Sequence, residues 1–225
     1  LLPTGGGQNA VDFVASGTLS SGQTVALKTD GTVGVISETA VPDSVGSVNS
    51  ITGIAYSSSG TNSSVYDPDT QQVIITYQGG SSSTTYGYAV VGKVSGTSIT
   101  FGTPVVYNSA TTYRPNITYN TTDQKIVISF RNVGNSNYGT SVAGTVSGTS
   151  LSFGSLFIWY YGWADFITTT YLPNSNRVAV GYKSITGASD YMQVAIFSLS
   201  GTTISLTGNS NWAILSNGRL GDMVY

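Results

Sequence analysis

Charged side chains, cysteine and histidine are scarce or missing in this 225-residue chain. Only 8% of its residues are Asp, Glu, Lys or Arg, against about 25% in an average soluble domain. There is no Cys and no His, and Glu38 is the single glutamate. Without Cys the chain has no disulfide, no thiolate zinc or iron–sulfur site and no cysteine nucleophile. Without His it has no Ser-His-Asp triad and no imidazole metal site.

The charge balance and the hydropathy of the chain exclude further classes. Eight basic and ten acidic residues give a net charge of −2, which provides no basic surface for nucleic acid. No apolar run in the sequence approaches the ~18–20 residues of a membrane-spanning helix, and the N-terminus lacks a signal-peptide pattern. We therefore expect no nucleic-acid partner, no membrane insertion, no cofactor and no metal, and the composition argues against an ordinary metabolic enzyme.

The residues that are abundant indicate an all-β fold. Apolar residues make up 40% of the chain, with 28 Gly and 15 Tyr, and Ser and Thr together number 63. Disordered chains are poor in aromatic and β-branched residues, whereas Thr, Val, Ile and Tyr are favoured in strands. A chain of this length can also bury a sizeable core.

Three landmarks recur along the sequence with a period of 52–53 residues. The first is an apolar residue followed by Ser-Gly-Thr, and the second is a Tyr before a polar turn and an alternating apolar run. The third is a lone Tyr that precedes a strand pattern. The three sets begin at Val94, Val146 and Leu199, at Tyr66, Tyr119 and Tyr171, and at Tyr86, Tyr138 and Tyr191.

Each repeat contains four short strand patterns and no convincing helical period. The second strand alternates apolar residues over Val73–Tyr77, Ile126–Phe130 and Val178–Tyr182. A polar loop of eight or nine residues is expected between the second and third strands. Four antiparallel strands in about 50 residues are typical of a β-propeller blade. A β-sandwich or a β-solenoid built from the same hairpins is the alternative.

The domain organisation follows from the repeats. Three blades are fewer than the usual four to eight. The N-terminal region could complete a fourth blade, several chains could close a ring or form an array, or the chain could be a fragment. Because it begins at Leu1 rather than Met and ends one strand into a fourth repeat, we favour a fragment or an inter-chain arrangement. The expected segments are a small N-terminal β module with an Asp30-Gly31 hairpin (1–41), a linker or partial blade (42–60), repeats 61–110, 111–162 and 163–215, and the first strand of a fourth repeat (216–225).

A candidate binding rim emerges when the few charges are sorted by blade topology. In a blade, the loops between strands two and three and the connections between blades fall on one face. Aromatic rings beside Arg and Asp suit sugar rings or a polar protein surface. Trp159, Tyr160 and Tyr161 are assigned to the same face, but packing in the core or between blades is the favoured interpretation of Trp159 and its neighbours. The candidate rim residues are Tyr113, Arg114, Arg131, Trp163, Asp165, Lys183, Asp190 and Arg219.

Two chemical interpretations of the acidic residues are weaker. The turns at Asp67–Asp69 and Asn120–Asp123 carry oxygen ligands but lack EF-hand spacing, so ordinary turn chemistry is favoured over calcium. A propeller glycosidase would need two carboxylates at a fixed separation or a sialidase-type Arg cluster with a Tyr nucleophile. The single Glu and the missing Ser-x-Asp-x-Gly-x-x-Trp box make that a remote alternative.

The repeat motifs resemble those of large structural proteins from aquatic tailed bacteriophages. The resemblance lies in the runs 94–106 and 134–140 and in the opening Ala15-Ser-Gly-Thr-Leu-Ser-Ser-Gly-Gln-Thr-Val followed by Asp30-Gly-Thr-Val. Such proteins are virion or fibre-like components, some with propeller-like repeats. The resemblance implies a structural role and carries over no catalytic residue. The present chain differs in having only three full repeats.

We therefore expect a non-enzymatic virion or extracellular protein, namely a tail fibre, a head fibre or a capsid decoration protein. Its partners would be other copies of itself and other virion proteins, and a contact with host glycans is left open. Repeats associate through apolar faces, and hydroxyl-rich surfaces with few charges interact with little sensitivity to salt. A cellular carbohydrate-binding adhesin or lectin is the alternative.

Overall fold

The computed structural model describes residues 13–35, 50–51, 61–81, 84–185 and 190–210. The chain divides into two compact parts, Leu1–Ser44 and Val45–Tyr225. The described residues form antiparallel strands, two short 3₁₀ turns and no α-helix. The expectation of an all-β fold is confirmed. The described strands form open sheets, with no closed barrel or ring among them.

The N-terminal part contains a two-stranded hairpin. Strand β1 (Val25–Leu27) pairs antiparallel with β2 (Val33–Val35). The turn between them contains Gly31 at φ 81°, a left-handed conformation that favours glycine. The carboxylate of Asp30 accepts hydrogen bonds from the Thr32 amide and hydroxyl at 2.9 and 2.7 Å, and these bonds lower the pKa of Asp30. Before the hairpin, Ala15 forms a single bridge with Val33.

Each of the three sequence repeats forms an antiparallel meander. In the first repeat β3, β4 and β5 pair in chain order, and the fourth position is shared by two short strands that both pair with β5. The fourth strand of this repeat is therefore broken in two. The bounds are β3 (Asn62–Asp67), β4 (Gln72–Ser81), β5 (Thr84–Ser95), β6 (Ser98–Phe101) and β7 (Val105–Asn108).

The second and third repeats share one eight-stranded sheet. Its strands run in the order β15-β14-β13-β12-β10-β9-β8, and β11 pairs beside β10. The long strand β12 pairs with β10 through its first half and with β13 through its second half. The boundary expected at 162/163 thus lies inside a continuous strand. The bounds are β8 (Thr112–Asn120), β9 (Lys125–Asn132), β10 (Tyr138–Ser147), β11 (Ser150–Phe153), β12 (Phe157–Leu172), β13 (Arg177–Ile185), β14 (Asp190–Ser200) and β15 (Thr203–Ser210).

The loops between the second and third strands are shorter than the eight or nine residues expected. In the first repeat only 82–83 separate β4 from β5, and in the second repeat a 3₁₀ turn at Val133–Asn135 leads to β10. The strands continue through the polar stretches because the backbone groups of these residues still form hydrogen bonds with the neighbouring strand. Hydrophilic composition indicates a loop only where such pairing stops.

The core consists of two layers, one on each side of the middle repeat. Ile126, Ile128 and Phe130 of β9 pack with residues of the first repeat, whereas Val127 packs with Trp159 and residues of the third repeat. Successive residues of a strand point to opposite faces, so β9 is buried on both. This two-sided burial explains why its apolar run is nearly continuous.

Candidate functional site

The candidate site lies where the first strands of the second and third repeats begin. Both strands contain a β-bulge, because the pairing register shifts between Tyr113 and Asn116 and between Asp165 and Thr168. Arg114 and Phe166 occupy equivalent bulge positions with φ of 52° and 46°. A bulge redirects the side chains of a strand. Here the two bulges bring charged and aromatic side chains of the two repeats together.

The carboxylate of Asp165 lies between two guanidinium groups. Its Oδ1 is 2.9 Å from Arg114 Nε and 3.4 Å from Arg131 Nη1. Arg131 and Asp165 are each only 8% exposed, while the Arg114 side chain keeps 39% of its surface exposed. Lys183 lies directly opposite Asp165 in the β12–β13 register. The result is one carboxylate among three cations.

Aromatic rings hold these cations in place. The Arg131 guanidinium lies 4.9 Å from the ring centroid of Tyr113 and 5.1 Å from that of Trp163. Arg114 lies 4.3 Å over the Phe166 ring, and Lys183 Nζ is 5.7 Å from the same ring. Such cation–π contacts stabilise a partly desolvated cation. We call Tyr113, Arg114, Arg131, Trp163, Asp165, Phe166 and Lys183 the Arg–Asp cluster.

Burial dominates the electrostatics of Arg131. Desolvation lowers the pKa of Arg131, the negative charge of Asp165 raises it, and the nearby Arg114 lowers it further. Arg131 Nε is buried and forms no hydrogen bond. Other buried polar atoms of the described residues share this state, Tyr77 Oη and Thr169 Oγ1 among them. The cluster therefore provides a fixed positive charge beside exposed aromatic surface.

The structure places six of the eight sequence-predicted rim residues in this cluster. They are Tyr113, Arg114, Arg131, Trp163, Asp165 and Lys183. Asp190 begins β14 opposite Ile185, but its side chain lies outside the described residues, as does the whole of Arg219. All six lie within strands and not in loops. Tyr113, Arg114, Arg131 and Lys183 are near strand ends, whereas Trp163 and Asp165 lie in the middle of β12.

Two aromatic residues follow the core interpretation, and one residue of the cluster was missed. Trp159 is buried in the core, with its ring 4.6 Å from Tyr182 and its Nε1 donating to Ser141 Oγ at 2.9 Å. Tyr160 is half-buried and packs against the same core cluster. The core interpretation therefore holds for both. Phe166, which the sequence analysis did not name, could have been found because it lies 52 residues after Arg114.

The acidic turns at the opposite strand ends use their oxygens within the turns and between repeats. Asp67 Oδ1 accepts from the amides of Asp69 and Thr70, and Asn120 Oδ1 accepts from those of Thr122 and Asp123. These are Asx turns. Within the described ranges, no three acidic, Cys or His side chains are grouped so as to hold a metal.

Comparisons of the chain with protein-family models, with curated proteins and with solved structures gave no significant match. In the part of the chain that the structure describes, no helix is both long and apolar enough to cross a membrane.

Proposed function

We propose that this chain is a non-enzymatic structural protein of a virion surface, a tail fibre, head fibre or decoration protein, built from propeller-like blades. The four-strand meanders are the blades, and β3, β8 and the second half of β12 are their first strands. Copies of the chain associate through further contacts of the same kind that join its own repeats.

A repeated contact between neighbouring repeats carries this proposal. Tyr119 Oη donates to Asp69 Oδ2 of the first repeat at 2.7 Å, and Tyr171 Oη lies 2.6 Å from Thr122 Oγ1 of the second. The equivalent Tyr66 of the first repeat is 55% exposed. A repeat whose tyrosine at this position is exposed can bind a further repeat through the same contact. A second copy of the chain supplies such a repeat.

The low charge supports the same role. The charges within the described sheets lie mainly at strand ends, and the remaining described surface is rich in Ser, Thr, Asn and Tyr. Copies can therefore approach one another without strong electrostatic repulsion. The motif resemblance to phage structural repeats adds the virion assignment, and no catalytic residue set is implied by it.

The mass and symmetry of the assembled protein test this proposal. Light scattering and electron microscopy of the purified chain should show a multimer with rotational or helical symmetry. Tyr66→Arg should dissociate it, whereas Tyr191→Arg, at another exposed tyrosine, should leave the mass unchanged. Antibodies against the chain should label purified virus particles. A stable monomer, or particles without label, would overturn the assignment.

A carbohydrate-binding adhesin is the second candidate, and one observation favours it. Trp163 is 45% exposed and Tyr161 is 75% exposed beside the Arg–Asp cluster. Exposed aromatic rings next to polar groups suit sugar rings, which have both apolar faces and hydroxyl edges. Sugar binding by a monomeric chain would favour this candidate over the virion role.

A further inference from the structure

The cluster end of the second and third repeats carries a local positive charge in a chain of negative net charge. Among the described side chains there, Arg114, Arg131 and Lys183 face the single carboxylate of Asp165. At the opposite strand ends Asp67, Asp69 and Asp123 are matched in number by Lys93, Lys125 and Arg177. Among the described side chains, the positive excess therefore lies at this end of the sheets, where Asp190 also begins β14.

The first repeat shows that the fold does not require this charge. Gln78 occupies the position equivalent to Arg131, and it is equally buried at 3% exposure. Its amide donates to the Thr112 carbonyl, and its Oε1 accepts from the Thr61 amide at 3.0 Å. A neutral amide therefore occupies the equivalent position between repeats and forms hydrogen bonds there. Burying a guanidinium instead is unfavourable unless it is well paired, and Arg131 Nε has no hydrogen-bond partner.

Exposed aromatic surface adjoins the cations. Trp163 contacts Arg131 and remains nearly half-exposed. Tyr161 packs edge-on against Tyr138, with ring centroids 5.4 Å apart, and most of its surface meets solvent. Contiguous exposed aromatic surface that is rimmed by polar and charged groups is typical of a ligand or partner site.

We propose that the Arg–Asp cluster binds an acidic glycan, a pyranose that carries a carboxylate. The carboxylate pairs with Arg114 and Lys183, and the sugar ring stacks on Trp163. Arg131 acts as a positioning residue, since it holds Trp163 and Asp165 in place from the buried side. This inference rests on the surface role proposed above, and it names the class of glycan that such a surface protein would contact.

The choice of a carboxylated sugar follows from the chemistry of the two surfaces together. Guanidinium groups recognise carboxylates in a planar, bidentate geometry. A few cations at one place suit a single carboxylate, whereas nucleic acid would require an extended basic surface. A small anion alone would leave Trp163 and Tyr161 uncovered, and a neutral sugar would leave the positive excess uncompensated.

Titration with defined oligosaccharides tests the inference. The probes are an oligogalacturonate, a neutral oligosaccharide of equal length, a sulfated oligosaccharide and free acetate, with calorimetry and tryptophan fluorescence as readouts. Oligogalacturonate should bind most tightly and lose affinity in high salt, because its charge is screened. Arg114→Gln and Trp163→Ala should each weaken binding by about tenfold, the size of one charge-assisted or stacking contact.

Matched variants separate binding from folding. Arg131→Gln copies the arrangement of Gln78, so it should fold and yet weaken binding several-fold. Arg177→Gln removes the same charge at the opposite strand end, where Arg177 donates to the backbone carbonyls of Ser175 and Asn176, and should bind like the parent chain. Melting curves of all four variants identify any that fail to fold.

Each result has one consequence. Equal binding of the neutral sugar, or tighter binding of the sulfated one, overturns the carboxylate assignment, and acetate binding as tightly as the sugar overturns the glycan assignment. No binding by any probe overturns both. Particle mass is measured on the same samples, so loss of binding in an intact multimer counts only against this inference, whereas binding by a monomer counts only against the structural role.

Discussion

The phenol of Tyr119 donates a hydrogen bond to the carboxylate of Asp69, with 2.7 Å between Oη and Oδ2. This bond joins the first strand of the second repeat to the turn of the first. Tyr171 makes the equivalent contact with Thr122, whereas Tyr66 at the same position of the first repeat is exposed. The tyrosine at this repeat position therefore has a partner in the neighbouring repeat in two cases and is exposed to solvent in the third.

Replacing Tyr119 by Phe should lower the free energy of unfolding by about 1 kcal/mol, the usual value of a hydrogen bond that is lost without a cavity. Tyr66→Phe is the matched control and should change it by less than about 0.5 kcal/mol, as surface substitutions do. Urea unfolding of the two variants measures the difference. Equal effects would contradict a stabilising role for the contact between repeats.

The parts of the fold that depend on local chemistry could be predicted from the sequence. The Ser-Gly-Thr turns place Gly96, Gly148 and Gly201 at φ between 55° and 60°, and the period of these turns locates the hairpin between the third and fourth strands of each repeat. The Asp30-Gly31 hairpin is likewise a local signal. Six rim residues come together because the repeat period puts them at the same end of the four-strand meanders.

The parts that depend on contacts between repeats could not be predicted in this way. The bulges at Arg114 and Phe166 have no shared residue type, and a register shift leaves the alternation of the strand intact. The burial of Trp159 depends on Tyr182 and Phe197, which come from a later repeat. Whether Arg131 lies in a loop or a strand was decided by its pairing with Gly139 and Tyr113.

Gly139 leaves space for the ring of Trp159, and an alanine there should be destabilising. An added Cβ would lie 2.5 Å from Trp159 Cη2, and relieving such overpacking costs about 1–3 kcal/mol. Trp159→Phe removes the atoms that collide, so the double variant should lose less stability than the sum of the single ones. Thermal melts of the single and double variants measure this coupling, and strict additivity would contradict the predicted collision.

Gly148 differs from Gly139, because at position 148 glycine is favoured by the backbone conformation and not by a neighbouring side chain. It has φ 55°, and an added Cβ would meet no atom within 4 Å. Gly148→Ala should therefore lower the free energy of unfolding by about 1 kcal/mol, and Gly148→Asn should recover part of the loss, since Asn tolerates the left-handed region. Thermal melts of the two Gly148 variants measure these changes in stability. An Asn variant less stable than the Ala variant would contradict this explanation.

Asp165 should be needed to keep the buried cations of the second and third repeats together. Asp165→Asn leaves Arg114 and Arg131 without their carboxylate, and we expect a loss of about 2–3 kcal/mol, below the full value for a buried pair because Arg114 is partly exposed. Combining it with Arg131→Gln should restore part of the stability. A double-mutant cycle by urea unfolding measures the coupling, and a coupling near zero would show that the ion pair contributes nothing.

Alkaline pH should unfold the protein through its buried tyrosines. Burial is the main cause that raises the pKa of Tyr77, Tyr107 and Tyr119 above the ordinary value. Their phenols ionise first in the unfolded chain, so their contribution to stability is fully present below about pH 10 and decreases above it. Each group adds a slope of up to about 1.4 kcal/mol per pH unit.

Tyr107→Phe provides the measurement that checks this. Tyr107 is buried and accepts a hydrogen bond from Thr76 Oγ1 at 3.2 Å, so the variant loses some stability at neutral pH through that bond. Above about pH 10 its free energy of unfolding should fall less steeply than that of the parent chain, since one ionising group has been removed. Urea unfolding across the alkaline range, with phenolate absorbance recorded in parallel, gives both slopes. Parallel slopes would mean that Tyr107 ionises equally in the folded and unfolded chain.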